Sequence, residues 1–160
     1  MNTSLGVILG NRDFFPDHIV SEARQDILAV FDEMGIEPVM LAEEDTNLGG
    51  VETWEDAKKC AALFKANADE IGGILVVLPN FGDEKGVADT VNLSGLQVPI
   101  LIQAYPDDLD QFNIEWRRAS FCGKVAVCSN LRQYGYPFAL SELHTVGPIT
   151  DSFKTDLRQF

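Results

Sequence analysis

The chain has 160 residues, 46% of them hydrophobic and 23% charged, a size and balance that suit one domain with a single core and exclude a disordered segment. With 25 acidic against 12 basic side chains the net charge is −13, and so acidic a surface repels nucleic-acid phosphates and anionic lipid, so neither is expected as a partner. No apolar run reaches the ~20 residues of a membrane helix, Met1-Asn2-Thr3-Ser4 carries no basic segment, and three cysteines without a CxxC pair fit reducing, cytoplasmic surroundings.

Short apolar runs alternate with amphipathic segments. Leu5 to Leu9 reads as the first strand. Pro16-Asp17 opens a helix, with Asp17 as cap, whose apolar face is Val20, Ala23, Ile27, Val30, Phe31 and Met34. Gly35 supplies its left-handed stop, and Pro38 to Leu41 is the second strand. Thr53 with Asp56 three positions on forms a capping box. The helix it opens is expected to bury Trp54, Ala57, Ala61, Phe64, Ala68 and Ile71, and to end at Gly72-Gly73. Ile74 to Leu78, apolar throughout, predicts a central strand covered on both faces.

A helix over Glu84 to Leu93 and a fourth strand over Val98 to Ile102 follow. After a polar connection from Asp107 to Ser120, Phe121, Val125, Cys128 and Leu131 mark a helix stopped by Gly135. Pro137 to Leu140 gives a fifth strand. The alternation predicts a three-layer Rossmann-like α/β domain, with five parallel strands in the flavodoxin-like order 2-1-3-4-5. The expected domain spans residues 1–150. Asp151, an N-cap, then opens residues 151–160, with Phe153, Leu157 and an exposed Phe160 on one stripe, as a helix leading into a following domain.

Ligands of open parallel sheets gather beyond the carboxyl ends of the strands. The first turn there, Gly10-Asn11-Arg12-Asp13-Phe14-Phe15-Pro16, has one glycine and two bulky rings, which excludes a dinucleotide fingerprint. No P-loop is present, and no lysine follows strand five before Lys154, so a phospho-accepting receiver site fails as well. His18 reads as solvated, and His144 has no nucleophile tied to it by any motif. Cys122, near Arg117, Arg118 and Lys124, reads as a small hydrophobe or as a thiol favoured by charge. Arg12 stands at the lip of strand one as either a ligand-binding cation or an ion-pair partner of Asp13 or Asp17. Phe14, Phe81 and Tyr105, near strand ends, suit sugar faces or a subunit interface. Asp83, Asp107, Asp108 and Asp110 show no metal-ligand spacing and read as caps and turn residues.

The segment Arg117-Arg118-Ala119-Ser120-Phe121-Cys122-Gly123-Lys124, continuing to Asn130-Leu131-Arg132-Gln133-Tyr134-Gly135-Tyr136-Pro137-Phe138, resembles the N-terminal region of L-fucose/L-arabinose isomerase-like proteins. Leu78-Pro79-Asn80-Phe81-Gly82-Asp83-Glu84 is in keeping with it. The resemblance implies a metal-dependent aldose–ketose isomerase, in which this segment caps substrate and supports oligomerisation. It implies manganese for the full-length protein and no cofactor on this segment, because the family's ligands lie in a C-terminal domain. It also implies a small-molecule sugar, the protein's own C-terminal domain and neighbouring subunits as partners. Arg12 is the nearest match to an arginine that reaches the sugar in such oligomers, and Phe14, Asn80, Phe81 and Tyr105 complete the expected contact set. A non-catalytic sugar-binding module of periplasmic-binding-protein type is the alternative.

Overall fold

The apolar run that ends in Leu78 forms the middle of the sheet because neither of its faces meets water. In a computed structural model, which describes residues 3–160, this strand is β3 (Ile71–Leu78). It lies between β1 (Thr3–Leu9) and β4 (Ile100–Ala104), with β2 (Ile36–Val39) and β5 (Ala139–Leu140) at the edges. The five-stranded sheet is parallel throughout, in the order β2-β1-β3-β4-β5, as the sequence predicts. Side-chain alternation divides the core in two. Val7, Leu9, Leu75, Val77 and Leu101 face α1 (Asp17–Met34) and α5 (Asp151–Gln159). Ile8, Ile74, Val76, Leu78 and Ile102 face α2 (Trp54–Ala66), α3 (Glu84–Ser94) and α4 (Ser120–Gln133).

The capping box forms as expected, with the Thr53 hydroxyl accepting from the Asp56 amide and the Asp56 carboxylate accepting from the Thr53 amide. Gly35 stops α1 at φ 68°. Several local expectations are corrected. Helix α2 ends at Ala66, so exposed Ala68 falls outside it and Ile71 belongs to β3. Gly72 and Gly73 lie inside that strand. Trp54, the first residue of α2, is 50% exposed because a side chain so early in the helix clears the sheet. Pro16 occupies the position before α1 and Thr150 caps α5, displacing Asp17 and Asp151 into the first helical turns. Strand β2 sits two residues earlier than expected. Strand β4 runs two later, because Gln103 and Ala104 still pair with Val77 and Leu78.

Helix α4 departs most. Phe121 and Val125 are exposed, and the buried side is Ser120, Gly123, Lys124, Val127 and Leu131. At the other end of the chain, α5 lies on the sheet with Phe153 fully buried. Phe160, expected to be exposed, packs its ring over Gly73, where a Cβ would come within 2.8 Å of it. Among the described residues no helix is long and apolar enough to cross a membrane.

Candidate functional site

The loops that follow β1 and β3 cross on two glycines. Gly82 adopts φ 71°, which favours glycine, and a Cβ on it would lie 3.7 Å from the Gly10 Cα. The Gly10 amide donates to the Val77 carbonyl at 2.9 Å. The segment before α2 then returns alongside β1, with Val51 N donating to Leu9 O at 2.8 Å and Asn11 N to Val51 O at 3.2 Å. Three loops are thus tied by backbone before any side chain is considered.

Beneath them lies a chain of amides. Asn11 and Asn80 are both fully buried, which requires that their polar atoms be paired. Asn80 Oδ1 accepts from Gly82 N at 2.9 Å, and Asn80 Nδ2 donates to Asn11 Oδ1 at 2.6 Å. Asn11 Nδ2 in turn donates to Glu52 Oε1, which also accepts from Asn47 Nδ2 at 3.0 Å. No protein group bonds Glu52 Oε2 among the described residues. Burial raises the Glu52 carboxyl above its ordinary range and nearby Asp17 and Asp56 add to this, whereas the Asn47 and Asn11 hydrogen bonds pull it down.

Arg12 lies at the top of this layer. Its Nε donates to Gly82 O at 2.8 Å, its Nη2 to Glu84 Oε2 at 2.5 Å, and its guanidinium lies 4.7 Å from the centre of the Phe81 ring. Its ion-pair partners are therefore Glu84 and, at 3.9 Å, Asp83, rather than Asp13 or Asp17. Asp83 also caps α3, accepting from Gly86 N at 2.6 Å. Nη1 meets no protein acceptor among the described residues. Arg12 lines a cleft of about 260 Å³ together with Asp13, Phe14, Glu52, Thr53 and Asp83. An adjoining cleft of about 240 Å³ shares Glu52, Thr53 and Asp83 and extends to Trp54, Lys85 and Asp89.

Of the five residues predicted to contact a ligand, Arg12 and Phe14 line the cleft and Phe81 supports the guanidinium. Asn80 reaches it only through Asn11. Tyr105 lies elsewhere, buried under Arg118 with its hydroxyl donating to Asp26 at 2.8 Å. Burial, reinforced by Asp26, raises its phenol well above the ordinary range. Glu52 and Asn11 escape sequence reasoning. Their only signal is a polar side chain placed directly after an apolar strand or before a capping box.

The edge beyond β4 is filled. Arg118 donates to Pro79 O at 3.1 Å, stacks 4.8 Å from the Tyr105 ring centre and pairs with Glu22 at 3.5 Å. Asp107 accepts from the amides of Arg118 and Ala119, holding Ala119 at φ 50° as α4 begins. One turn later Gly123 lies so close to the Phe81 backbone that a Cβ would fall 1.9 Å from Phe81 O. Lys124, 3% exposed, donates to Ser141 Oγ at 2.9 Å and His144 O at 3.0 Å, and burial lowers its pKa. Cys122 is exposed, whereas Cys60 is buried and its thiol pushed up to about 12. His18 is exposed but packs edge-on to Trp116 at 4.5 Å, and the exposed His144 ring lies 5.6 Å from Phe121. Among the described residues no three His, Cys, Asp or Glu side chains converge as metal donors.

A search of curated proteins gave no match. Residues 6–160 match the family described as fucose/sulfoquinovose isomerase, N-terminal domain. The match spans both the cleft and the α4 edge, and this chain belongs to the fucose/sulfoquinovose isomerase N-terminal domain family.

Proposed function

We propose that this chain is the substrate-capping and oligomerising domain of a metal-dependent aldose–ketose isomerase, and that it presents Arg12 to a sugar held in a neighbouring subunit. The observation that carries the reading is the state of Arg12: one edge of the guanidinium is fixed by Gly82, Glu84 and Phe81, while Nη1 has no partner among the described residues and the residue lines an open cleft. A guanidinium fixed on one edge loses little side-chain freedom when the other edge donates to sugar hydroxyls.

Aldose–ketose isomerisation moves hydrogen between C1 and C2, which requires an open-chain sugar held in one conformation with bulk water excluded. Arg12 and Phe14 suit holding and covering. The part read for this chain is binding and positioning, with the manganese that the family resemblance implies expected in the C-terminal domain. Leu109, Phe112 and Ile114, 85%, 76% and 75% exposed on the connection before α4, supply apolar surface for a subunit contact.

The test is Arg12→Ala in the oligomeric isomerase that carries this domain. Loss of a charge-assisted contact should lower kcat/KM by roughly 1.5–3 kcal/mol, about ten- to more than a hundredfold. Unchanged kinetics would overturn the reading.

A further inference from the structure

Resting on that reading, we infer that Glu52 is a second sugar contact beside Arg12, and that it makes the cleft select neutral polyhydroxy aldoses over sulfonated ones. The family's description joins both substrate classes, so the charge of this surface bears on the choice.

Glu52 is positioned in a way that an ordinary surface glutamate is not. Two side-chain amides hold its Oε1, one of them from fully buried Asn11, itself held by fully buried Asn80. Oε2 of Glu52 and Nη1 of Arg12 are left without partners among the described residues, an acceptor and a donor on two residues that line one cleft. A carboxylate and a guanidinium lining one cleft match two hydroxyls of a sugar, which both donate and accept. The exposed rings of Phe14 and Trp54 flank the two adjoining clefts and suit the apolar C–H face of a pyranose or open-chain sugar.

The same lining opposes an anion. Asp13, Glu52, Asp83 and Asp89 stand against Arg12 and Lys85, and Arg12 is already paired with Glu84 and Asp83. A sulfonate entering here gains no unpaired cation except the exposed Lys85 and faces four carboxylates. The carboxylates on every side of Glu52 are Asp17, reached through Asn47, Asp56 in the first turn of α2, and Asp83 at the cap of α3.

The chain closes its own core, so binding can be read on it directly. Two-dimensional amide NMR is recorded while a neutral 6-deoxyaldose or a 6-sulfonated aldose is added up to about 50 mM, above the millimolar Kd expected for a few hydrogen bonds. The neutral sugar should shift the amides of Asn11, Glu52 and Gly82. Glu52→Gln, which keeps the Oε1 acceptor for Asn11 and Asn47, should weaken it about five- to tenfold and narrow its preference over the sulfonated sugar. Equal or tighter binding of the sulfonated sugar, shifts confined to other surfaces, or unchanged affinity in Glu52→Gln would overturn the inference. If Arg12→Ala lowers kcat/KM in the assembled enzyme while Glu52→Gln changes nothing here, the capping reading stands and only the role of Glu52 falls. If Arg12→Ala leaves those kinetics unchanged, the capping reading itself falls.

Discussion

Arg12 and Arg118 stack on aromatic rings at nearly the same distance, Arg12 on Phe81 at 4.7 Å and Arg118 on Tyr105 at 4.8 Å. Their surroundings set them apart. The Arg118 side chain is 12% exposed and bridges Pro79 O and Glu22, over a buried ring whose hydroxyl is bonded to Asp26. It locks β3, β4 and α1 together. The Arg12 side chain is 27% exposed and keeps a free edge over an open cleft. A cation on a ring therefore does not identify a binding residue. The donors left over after the protein's own bonds are made, and the space they face, do.

Substitutions on both sides can break or sharpen that contrast. The largest effect belongs to the filled side. Gly123→Ala places a methyl where Phe81 O already lies, and neither backbone can yield without lifting α4 off the sheet. A loss of at least about 3 kcal/mol is expected in denaturant unfolding. A loss below about 1 kcal/mol would show that the α4 edge is softer than described here.

Next come the arginines. Arg118→Ala should cost about 2–3 kcal/mol, since it strands Pro79 O and uncovers Tyr105. Arg12→Ala should cost less, about 1 kcal/mol, because Glu84 and Asp83 are solvated without it and only its bond to Gly82 O is lost. Equal losses for the two would erase the distinction between clamp and contact.

The smallest effect is the most diagnostic. Burial raises the Glu52 pKa, so the folded state holds that proton more readily than the unfolded chain, and stability falls as pH rises from the ordinary 4.5 through the raised folded value. Glu52→Gln should therefore stabilise the domain by a few tenths of a kcal/mol at neutral pH, given the residue's partial exposure. The gain should vanish toward pH 4, measured as melting temperature against pH. A carboxylate that lowers stability yet supports binding is what a recognition residue looks like; a destabilised Glu52→Gln would mark it as structural.

The fold was legible because its signals are local and redundant. A strand apolar on both faces, a capping box at Thr53 and a glycine stop at Gly35 each point to one arrangement, and parallel crossovers leave few strand orders. The face of α4 was not legible, because hydrophobicity ranks Phe121 and Val125 above Gly123 and Lys124. The helix instead turns inward the glycine that fits the Phe81 backbone and the lysine that reaches Ser141. The lip of the cleft was visible in Arg12, Phe14 and Phe81. Its floor was not, because the bond from Asn11 to Glu52 joins residues 41 positions apart. Only strand pairing brings Val51 back beside Gly10. For Tyr105, position in sequence placed it at a strand end, but the side chain turns toward α1 rather than toward Arg12.

The packing of Phe160 over Gly73 has a consequence for reach. Gly73 lies near the amino edge of β3, whereas Arg12 and Phe81 lie beyond its carboxyl edge, past the about 17 Å that the strand spans from Gly73 to Leu78 at 3.3 Å per residue. The Phe160 ring and the cleft therefore stand at opposite edges of the sheet, and a change at one is beyond contact reach of the other.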